Sequence, residues 1–389
     1  MNGLRILSVI GCRPNFIKIA PLMAEMKKHP EIQPVLVHTG QHYDEIMSDV
    51  FFRDLDIPKP DVSLNVGSGS YARQVALIIQ GLEGVLLDVS PDLVLVVGDV
   101  NSTVASCMTA IPLGFPVAHV EAGLRSFDRE MPEEINRVLT DSISDLLFAT
   151  ERSAVKNLVC EGRPRNQIHF VGNVMIDTLV MNADKIARSS ILSTLALSPR
   201  TYAVVTMHRP ANVDEPGSLE RITKALTELQ RHIKLVFPIH PRTAARLDRF
   251  GWWQRLISLP QLQLIDPLGY VDFIKLMRES LFVMTDSGGV QEETTALGVP
   301  CLTLRENTER PVTVTQGTNQ LVGTDESKIV AKALELINGV IFRGGVPEKW
   351  DGCASKRIVS LLLKESTKIK SLYNGVKQRG ICLDLASRI

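Results

Sequence analysis

The stretch LFVMTDSGGVQEETTALGVP, residues 281–300, joins an apolar run to a turn and the start of a helix. The run at 281–284 is bounded by turn-forming residues and predicts a buried strand. Ser287, Gly288 and Gly289 follow, and helical periodicity begins directly after them. Glycine lets a ligand approach the backbone closely, and a first helical turn offers unpaired N–H groups. Two interpretations stay open: a phosphate or diphosphate site, or a Ser-capped helix after a tight turn.

Glu293 lies one turn into this predicted helix. The attraction of a helix N-terminus for anions is confined to the first turn. A carboxylate at this depth is poorly suited to phosphate and better suited to sugar hydroxyls. We therefore interpret Glu293 as a candidate ligand of a ribose.

Length, charge and cysteine content limit the class of protein. The 389 residues exceed what one hydrophobic core organises, so two domains are expected. Lys+Arg and Asp+Glu number 43 each, which argues against attraction to nucleic acid or to an anionic membrane. The six cysteines form no Cys-x-x-Cys pair, so neither a zinc site nor a disulfide framework is expected. No apolar run suits a bilayer span or a signal peptide, and a cytoplasmic location is expected.

The first half of the chain alternates strand and helix patterns. Strands are predicted at residues 4–10, 35–38, 93–97, 116–120, 146–149 and 169–171. Helices are predicted at residues 16–28 and 74–89 and from residues 102 and 132. This alternation predicts a parallel sheet built from βαβ units. The first turn lacks Gly-x-Gly-x-x-Gly, so a dinucleotide fingerprint is absent. Residues 61–71 predict a surface loop or lid.

Charged residues follow three of these strands. Arg13 lies at the end of the first strand, where open parallel sheets place their ligands, although surface charge is the simpler interpretation. Asp99 and Glu121 end two later strands. Asp99 is either a residue facing a cleft or a helix cap.

Glu133 and Arg137 have the spacing of an i,i+4 helix pair, worth about 0.2–0.5 kcal/mol. The alternative is that Asp99, Glu121 and Glu133 converge on one crevice. Converging carboxylates shift one another's pKa values apart and can act as acid and base.

The second half repeats the plan. Strands are predicted at residues 202–206, 235–239, 262–265, 281–284 and 301–304, and helices at 218–232 and 328–340. We predict an N-terminal Rossmann-like domain at 1–175, a C-terminal Rossmann-like domain at 176–365, and a last helix at 366–389 that packs back on the first. Two such α/β halves predict a ligand crevice between them. His208, at a strand end, is either a structural histidine or a group that donates to phosphate or moves protons.

Read together, several short motifs resemble those of the non-hydrolysing UDP-N-acetylglucosamine 2-epimerase family, in the family's order over nearly the whole chain. They are Gly11-x-Arg13-Pro14-x-x-x-Lys18-x-x-Pro21, Gly98-Asp99, His119-Val120-Glu121-Ala122-Gly123-Leu124-Arg125, Pro132-Glu133-Glu134-x-Asn136-Arg137, Thr285-Asp286-Ser287-Gly288-Gly289-x-Gln291-Glu292-Glu293 and Thr308-Glu309-Arg310-Pro311.

The resemblance implies an α/β fold of two Rossmann-like domains, glycosyltransferase-B-like, with an interdomain cleft. It implies a homodimer that inverts C2 of a UDP-N-acetylhexosamine and needs no cofactor and no metal. The C2 proton leaves together with UDP, which gives a 2-acetamidoglucal, and UDP then adds back with protonation of the other face. The implied catalytic residues are Asp99, Glu121, Glu133 and His208. The implied substrate-binding residues are Arg13, Lys18, Arg137, Phe273 (against uracil), Ser287, Gly288, Gly289, Glu293 (on ribose) and Arg310.

Two stretches depart from the family pattern. The frequent His-Arg-Arg-Glu-Asn appears as HRPAN at residues 208–212, and a frequent Gln-His-Arg appears as QHY at residues 41–43. In bacterial members these positions help bind a second, activating substrate molecule, so that regulation is in question here. The alternatives are a UDP-2,3-diacetamido-glucuronate 2-epimerase, a hydrolysing 2-epimerase, a glycosyltransferase of the same fold, and a sugar-nucleotide sensor without catalysis.

Overall fold

A computed structural model of the chain describes residues 3–41, 51–340 and 344–378. Residues 42 and 43 of the QHY segment and the end of the predicted last helix lie outside this range. Contacts divide the chain into two α/β units. The first comprises the described residues up to Thr178 and those from Asp351 onward, and the second comprises Leu179–Trp350. The predicted α/β class, with one parallel sheet in each of two units, is confirmed.

Each sheet is wholly parallel in the part of the chain that the structure describes. The first has seven strands: β1 Leu4–Ile10, β2 Ile32–His38, β3 Val62–Ser63, β4 Leu93–Val97, β5 Val117–Ala122, β6 Leu146–Ala149 and β7 Ile168–Phe170. Their order is β3-β2-β1-β4-β5-β6-β7. The apolar strand β4 is fully buried between β1 and β5, as a central parallel strand requires. The carboxyl ends of β1, β4 and β5 are therefore neighbours.

The first unit also contains helices. They are Arg13–Met26, Tyr71–Val89, Asn101–Ala110, Pro132–Ile143, Arg152–Cys160, Val174–Met181, Ala354–Lys364 and Ser366–Gln378. The amphipathic helix Tyr71–Val89 buries Leu82 and Leu86 against apolar side chains of β1, β2 and β4. Helix Val174–Met181 carries the chain out of the first unit.

The second unit repeats the arrangement with six strands. They are β8 Tyr202–Thr206, β9 Lys234–Pro238, β10 Leu262–Ile265, β11 Phe282–Thr285, β12 Cys301–Thr303 and β13 Asn319–Leu321, in the order β10-β9-β8-β11-β12-β13. Its helices are Ala183–Arg188, Ile191–Thr194, Pro210–Val213, Pro216–Leu229, Pro241–Arg249, Trp253–Ile257, Tyr270–Arg278, Gly288–Leu297, Pro311–Thr315 and Glu326–Ile337. β8 and β11 are the central pair, so their carboxyl ends also adjoin.

The unit boundaries differ from the domain boundaries placed at 175 and 365. The structure divides the chain after Thr178 and after Trp350. Helix Ala354–Lys364 belongs to the first unit because it packs on helix Arg13–Met26. Among the described residues, no helix combines the length and the hydrophobicity that a membrane span requires.

Candidate active site

The first unit gathers charged side chains where β1, β4 and β5 end. Lys18, on the helix after β1, forms a buried ion pair with Glu121 at the end of β5. The Lys18 ammonium also lies against Gly98, since a Cβ built on Gly98 would stand 2.8 Å from Nζ. Gly98 has φ +71°, so this turn needs glycine both for its conformation and for the room that Lys18 takes. Lys18, Glu121 and the turn that carries Asp99 therefore lie together.

Glu121 occupies an unusual backbone conformation. Its φ is +79°, and the register between β5 and β6 shifts between Val120 and Ala122. Positive φ is uncommon outside glycine, and a bulge of this kind re-aims the side chain that it carries. Strain of this kind concentrates at functional sites. The bulge directs a carboxylate that is only 3% exposed onto Lys18.

Asp99 is held through both its side chain and its backbone. Nη1 of Arg137 lies 2.8 Å from its carboxylate, and Nδ2 of Asn136 donates to its backbone carbonyl at 2.9 Å. The carboxylate keeps 19% exposure and so remains reachable. The helix-cap interpretation was wrong, because Val100 is the N-cap residue of helix Asn101–Ala110.

Helix Pro132–Ile143 carries Glu133 and Arg137. Glu133 lies half-buried in its first turn. Its neighbour Glu134 points inward and accepts hydrogen bonds from the backbone N–H groups of Ser126 and Phe127 at 2.9 and 3.0 Å. Arg137 is buried and joins Glu134 to Asp99. The same helix thus places Glu133 and the cation that holds Asp99, while the acid and base roles of the three carboxylates stay predictions.

Arg13 and Asn15 lie in the first turn of the helix that follows β1. Arg13 is half-buried, with its guanidinium carbon 6.0 Å from the ring centre of Phe51. Asn15 accepts from the backbone N–H of Gly11 at 3.0 Å and donates to the carbonyl of Val97 at 3.0 Å. It therefore ties the end of β1 to the end of β4. Sequence reasoning missed Asn15, although an amide one turn into a helix after a strand was a usable signal.

A buried network that the sequence analysis also missed lies under these strand ends. It comprises His119 of β5, Asp141 of helix Pro132–Ile143, and Arg125. The signal was available: a histidine interrupts the apolar strand PVAHV at residues 116–120.

In the second unit, Asp286 directly follows β11 and organises the neighbouring loop. It is fully buried and accepts from the backbone N–H groups of His208 and Arg209 at 3.0 and 2.9 Å and from Nδ2 of Asn212 at 3.1 Å. Burial raises the pKa of the Asp286 carboxyl, but His208 and these donors outweigh it and lower that pKa. Nδ1 of His208 lies 3.2 Å from the carboxylate, and the imidazole side chain is 40% exposed. His208 is thus oriented by a buried anion while its ring stays accessible.

The helix Gly288–Leu297 begins directly beside this loop. Ser287 is its N-cap residue, but the Ser287 side chain makes no capping hydrogen bond. A Cβ on Gly288 would stand 2.4 Å from Oε1 of Glu309, so any larger residue here must displace the Glu309 side chain. Arg305 holds Glu309 at 2.8 Å, and Arg209 lies 3.7 Å from it. Cationic side chains thus accompany a helix terminus that its own serine leaves uncapped.

Glu293 lies deeper in the same helix and is 3% exposed. Burial and, to a lesser extent, the neighbouring Glu292 carboxylate raise the pKa of Glu293 to about 8, against a lowering effect of the Tyr270 hydroxyl. Glu293 and the Tyr270 hydroxyl shift each other's pKa. Even so, neither Oε1 of Glu293 nor the Tyr270 hydroxyl makes a hydrogen bond of acceptable geometry to a described residue. A buried polar atom without a partner costs about 1–3 kcal/mol, which a bound hydroxyl group would recover.

Arg310 and Phe273 are the two remaining predicted substrate-binding residues. Arg310 is 3% exposed and its Nε lies 2.6 Å from Oε1 of Glu292. Phe273 lies half-buried in the first turn of helix Tyr270–Arg278. Their roles toward a substrate stay predictions. Within residues 3–41, 51–340 and 344–378, no cluster of three His, Cys, Asp or Glu side chains has the arrangement of a metal site.

Two parallel α/β units, each with polar side chains at its central strand ends, are consistent with a glycosyltransferase-B-like fold. A sequence profile described as UDP-N-acetylglucosamine 2-epimerase matches residues 24–363. A UDP-N-acetylglucosamine 2-epimerase homolog of Methanococcus maripaludis is 45% identical over 330 residues, 84% of this chain and 91% of the relative. The chain therefore belongs to the UDP-N-acetylglucosamine 2-epimerase family.

Two further relatives cover the chain more fully. A UDP-2,3-diacetamido-2,3-dideoxy-D-glucuronate 2-epimerase of Pseudomonas aeruginosa is 40% identical over 365 residues, 93% of this chain and all of the relative. The crystal structure of Methanocaldococcus jannaschii UDP-GlcNAc 2-epimerase, in complex with UDP-GlcNAc and UDP, matches with a TM-score of 0.87. It is 40% identical and covers 93% of this chain and all of that chain.

Proposed function

We propose that this protein inverts C2 of a UDP-N-acetylhexosamine and interconverts UDP-N-acetylglucosamine and UDP-N-acetylmannosamine without hydrolysis. Family membership supports an epimerase, and the archaeal relative of known structure binds UDP-GlcNAc and UDP. The observation that carries the proposal is the strained Glu121, paired with Lys18 beside the Gly98–Asp99 turn. A glycosyltransferase has less need of carboxylates assembled in this way.

The chemistry sets two requirements. The C2–H bond has no adjacent carbonyl, so its proton is very weakly acidic and must leave together with the diphosphate. A base takes the C2 proton, the C–H electrons form the C1–C2 double bond, and the bond from C1 to the diphosphate oxygen breaks. UDP then attacks C1 of the 2-acetamidoglucal while an acid protonates C2 from the opposite face. The site therefore needs acid and base groups on both faces and an anion site for UDP.

The first unit supplies the acid and base groups in this proposal. Asp99, Glu121 and Glu133 are the candidates, with Lys18 and Arg137 holding the charge of two of them. Positioned proton transfer of this kind contributes about 10²–10⁴-fold to a rate.

The second unit supplies the leaving-group site. Diphosphate binds at the N-terminus of helix Gly288–Leu297, where backbone N–H groups and the helix dipole favour an anion. His208, oriented by Asp286, donates to the same diphosphate. Glu293 accepts or donates a hydrogen bond to a ribose hydroxyl, and Phe273 lies against the uracil.

The decisive experiment is incubation with UDP-N-acetylglucosamine in deuterated water, followed by NMR. We expect deuterium at C2 while the nucleotide–sugar bond stays intact. Free sugar would indicate hydrolysis, and turnover only with an acceptor would indicate a transferase.

Two substitutions sharpen that experiment. Asp99→Asn should lower the C2 exchange rate by about 10²-fold or more while UDP affinity is unchanged. Asp92→Asn is the matched control, because Asp92 binds the backbone N–H of Arg5 at the opposite end of β4. A large loss of UDP affinity in Asp99→Asn would indicate that Asp99 binds the nucleotide or stabilises the folded structure instead.

A second substrate is favoured by one observation. The Pseudomonas aeruginosa relative matches over its whole length at 40% identity, and its name specifies a UDP-2,3-diacetamido-2,3-dideoxy-D-glucuronate. Exchange at C2 with that uronate, and none with UDP-N-acetylglucosamine, would reassign the substrate and leave the reaction unchanged.

We further propose a cytoplasmic homodimer. Three free cysteines, Cys12, Cys107 and Cys301, are buried, and burial raises the pKa of the Cys12 thiol to about 12. Buried free thiols suit a reducing compartment. Met108 and Leu139 are 46% and 42% exposed on two helices that pack together, which supports an apolar contact between copies. Sedimentation of the wild type and of Met108→Glu tests the dimer.

A further inference from the structure

Asp141 is a buried carboxylate on which two side chains and one backbone N–H of the first unit converge. It lies on helix Pro132–Ile143 and is fully buried. Its Oδ1 accepts from Nδ1 of His119 at 2.7 Å. Its Oδ2 accepts from the backbone N–H of Gly123 at 2.9 Å and from Nη1 of Arg125 at 2.7 Å.

His119 extends this network to the turn that carries Asp99. The His119 ring is fully buried, and its Nε2 lies 2.8 Å from the carbonyl oxygen of Gly98. That carbonyl belongs to the peptide bond between Gly98 and Asp99. Both ring nitrogens face acceptors, a carboxylate oxygen of Asp141 and the Gly98 carbonyl oxygen. The Gly98 backbone N–H, which belongs to the preceding peptide, donates to the carbonyl of Val120 at 3.1 Å, so Gly98 is held through both its N–H and its carbonyl.

The same carboxylate spans the bulge at Glu121. His119 lies two residues before Glu121, and Gly123 lies two residues after it. Asp141 bonds to both, one through each carboxylate oxygen. The bulge with φ +79° is therefore held closed across its two flanks by a single side chain.

In this network the Arg125 guanidinium contacts two carboxylates, those of Asp141 and Glu161. Burial raises the pKa of Asp141, but His119 and Arg125 outweigh it, and the net pKa is lowered. Arg125 is shared with Glu161, with Nη2 at 2.6 Å from its carboxylate. Buried charges are tolerated only when they are paired and hydrogen-bonded, which favours a single arrangement of this network. Removal of one member leaves the buried polar groups of the others without their partner.

We propose that Asp141 is a positioning residue, which through His119 and Gly123 aims both Asp99 and Glu121 at the reacting carbon. This inference rests on the proposed function, since it assigns a role toward those two carboxylates. Asp141 itself touches neither substrate nor product. A displacement of about 1 Å in a catalytic group lowers a rate by about 100-fold, and Asp141 governs two such groups.

Paired substitutions test the proposal. Asp141→Ala removes the carboxylate that His119, Gly123 and Arg125 share, so we expect kcat for C2 exchange to fall by about 100-fold. The UDP dissociation constant should change by less than about threefold, because the proposed diphosphate site lies in the second unit. Asp141→Asn can accept from Gly123 and donate to a neutral His119, which still donates to Gly98. We therefore expect Asp141→Asn to recover kcat to within about tenfold of the wild type.

The matched control is Asp145→Ala. Asp145 is a partly buried carboxylate that accepts from the backbone N–H of Val117 at 2.9 Å, at the other end of β5. This variant removes a comparable hydrogen bond from the same strand, far from Asp99 and Glu121. We expect a measurable loss of thermal stability, with kcat within about threefold of the wild type.

Several results would overturn the proposal. They are equal kcat losses in Asp141→Ala and Asp145→Ala at equal loss of Tm, an unchanged kcat in folded Asp141→Ala, or no recovery in Asp141→Asn. If Asp141→Ala does not fold, His119→Leu removes the donor to Gly98 and leaves Asp141 paired with Arg125. The same kcat loss is then expected, and full activity refutes the inference. Absence of C2 exchange in the wild type would refute the proposed function instead.

Discussion

At the scale of single residues, Glu293 shows how one buried atom links stability to ligand binding. Its carboxyl is buried beside Glu292 and has a pKa raised to about 8. Near neutral pH it is protonated in the folded protein and ionised in the unfolded chain. A neutral carboxyl can both donate and accept, which suits the two hydroxyls of a ribose.

This raised pKa predicts a pH-dependent stability. The folded state binds the proton between the ordinary carboxyl pKa and about 8, and the unfolded state does not. The contribution of Glu293 to the free energy of unfolding is therefore fully present at acidic pH and is lost as pH rises through about 8. Urea unfolding at pH 6 and at pH 9 measures this contribution. Between these pH values, the free energy of unfolding should fall more in the wild type than in Glu293→Gln. Equal losses in the two proteins would contradict the assignment.

Residue positions were predictable where strand ends define them. Asp99 and Glu121 follow apolar runs directly, so their grouping followed from parallel topology. The partners Asp141 and Asn15 were not predicted, because each joins elements distant in sequence. Such contacts depend on packing and register, which no local pattern encodes.

At the scale of elements, the first residue of helix Gly288–Leu297 is a glycine packed closely against a neighbouring side chain. That side chain is Glu309, whose Oε1 would stand 2.4 Å from a Cβ on Gly288. A methyl group there must displace Glu309 or the turn, and with it the N–H groups proposed for diphosphate.

Gly288→Ala should therefore weaken UDP binding by about tenfold or more, measured by calorimetry. Gly217→Ala is the matched control, since Gly217 also opens a helix of the second unit and a Cβ there meets only Nη1 of Arg221 at 3.4 Å. We expect unchanged UDP affinity in the control. Equal affinities in both variants would argue that diphosphate binds elsewhere.

Element prediction succeeded where patterns were long. The apolar run of β4 and the periodic helix Tyr71–Val89 both appear in the structure. The edge strands β3 and β13 were missed because two or three residues carry no readable alternation. β3 lies inside the segment interpreted as a loop. The bulge at Glu121 was also not predicted, because no sequence pattern indicates that a non-glycine residue adopts a positive φ.

At the scale of the whole molecule, the chain passes between the units twice, after Thr178 and after Trp350. Asp177 precedes the first crossing and accepts hydrogen bonds from the backbone N–H groups of Ala354 and Ser355 at 3.0 and 2.6 Å. It thus caps the helix that follows the second crossing and fastens both crossings to one point of the first unit.

Asp177→Ala should lower the free energy of unfolding by about 2–4 kcal/mol, because two helix-terminal N–H groups lose a buried acceptor. Asp351→Ala serves as the control: its ion pair with Arg357 is largely exposed and should contribute less than about 1 kcal/mol. Chemical unfolding of the two variants measures the difference. A smaller loss in Asp177→Ala than in Asp351→Ala would contradict the capping role.

The two-unit architecture followed from the repeated strand and helix pattern, and a returning tail was expected. The boundaries were displaced because the helical pattern of residues 354–364 does not reveal which unit its apolar face contacts. Only packing against helix Arg13–Met26 assigns it.

Because the first unit is built from two separate segments of the chain, it cannot finish folding during translation until the second unit has been synthesised. Its sheet is complete once β7 has been translated, yet the helix that covers Arg13–Met26 is made only after all of Leu179–Trp350. In a nascent chain, the surface of helix Arg13–Met26 that this later helix covers therefore stays uncovered throughout synthesis of the second unit.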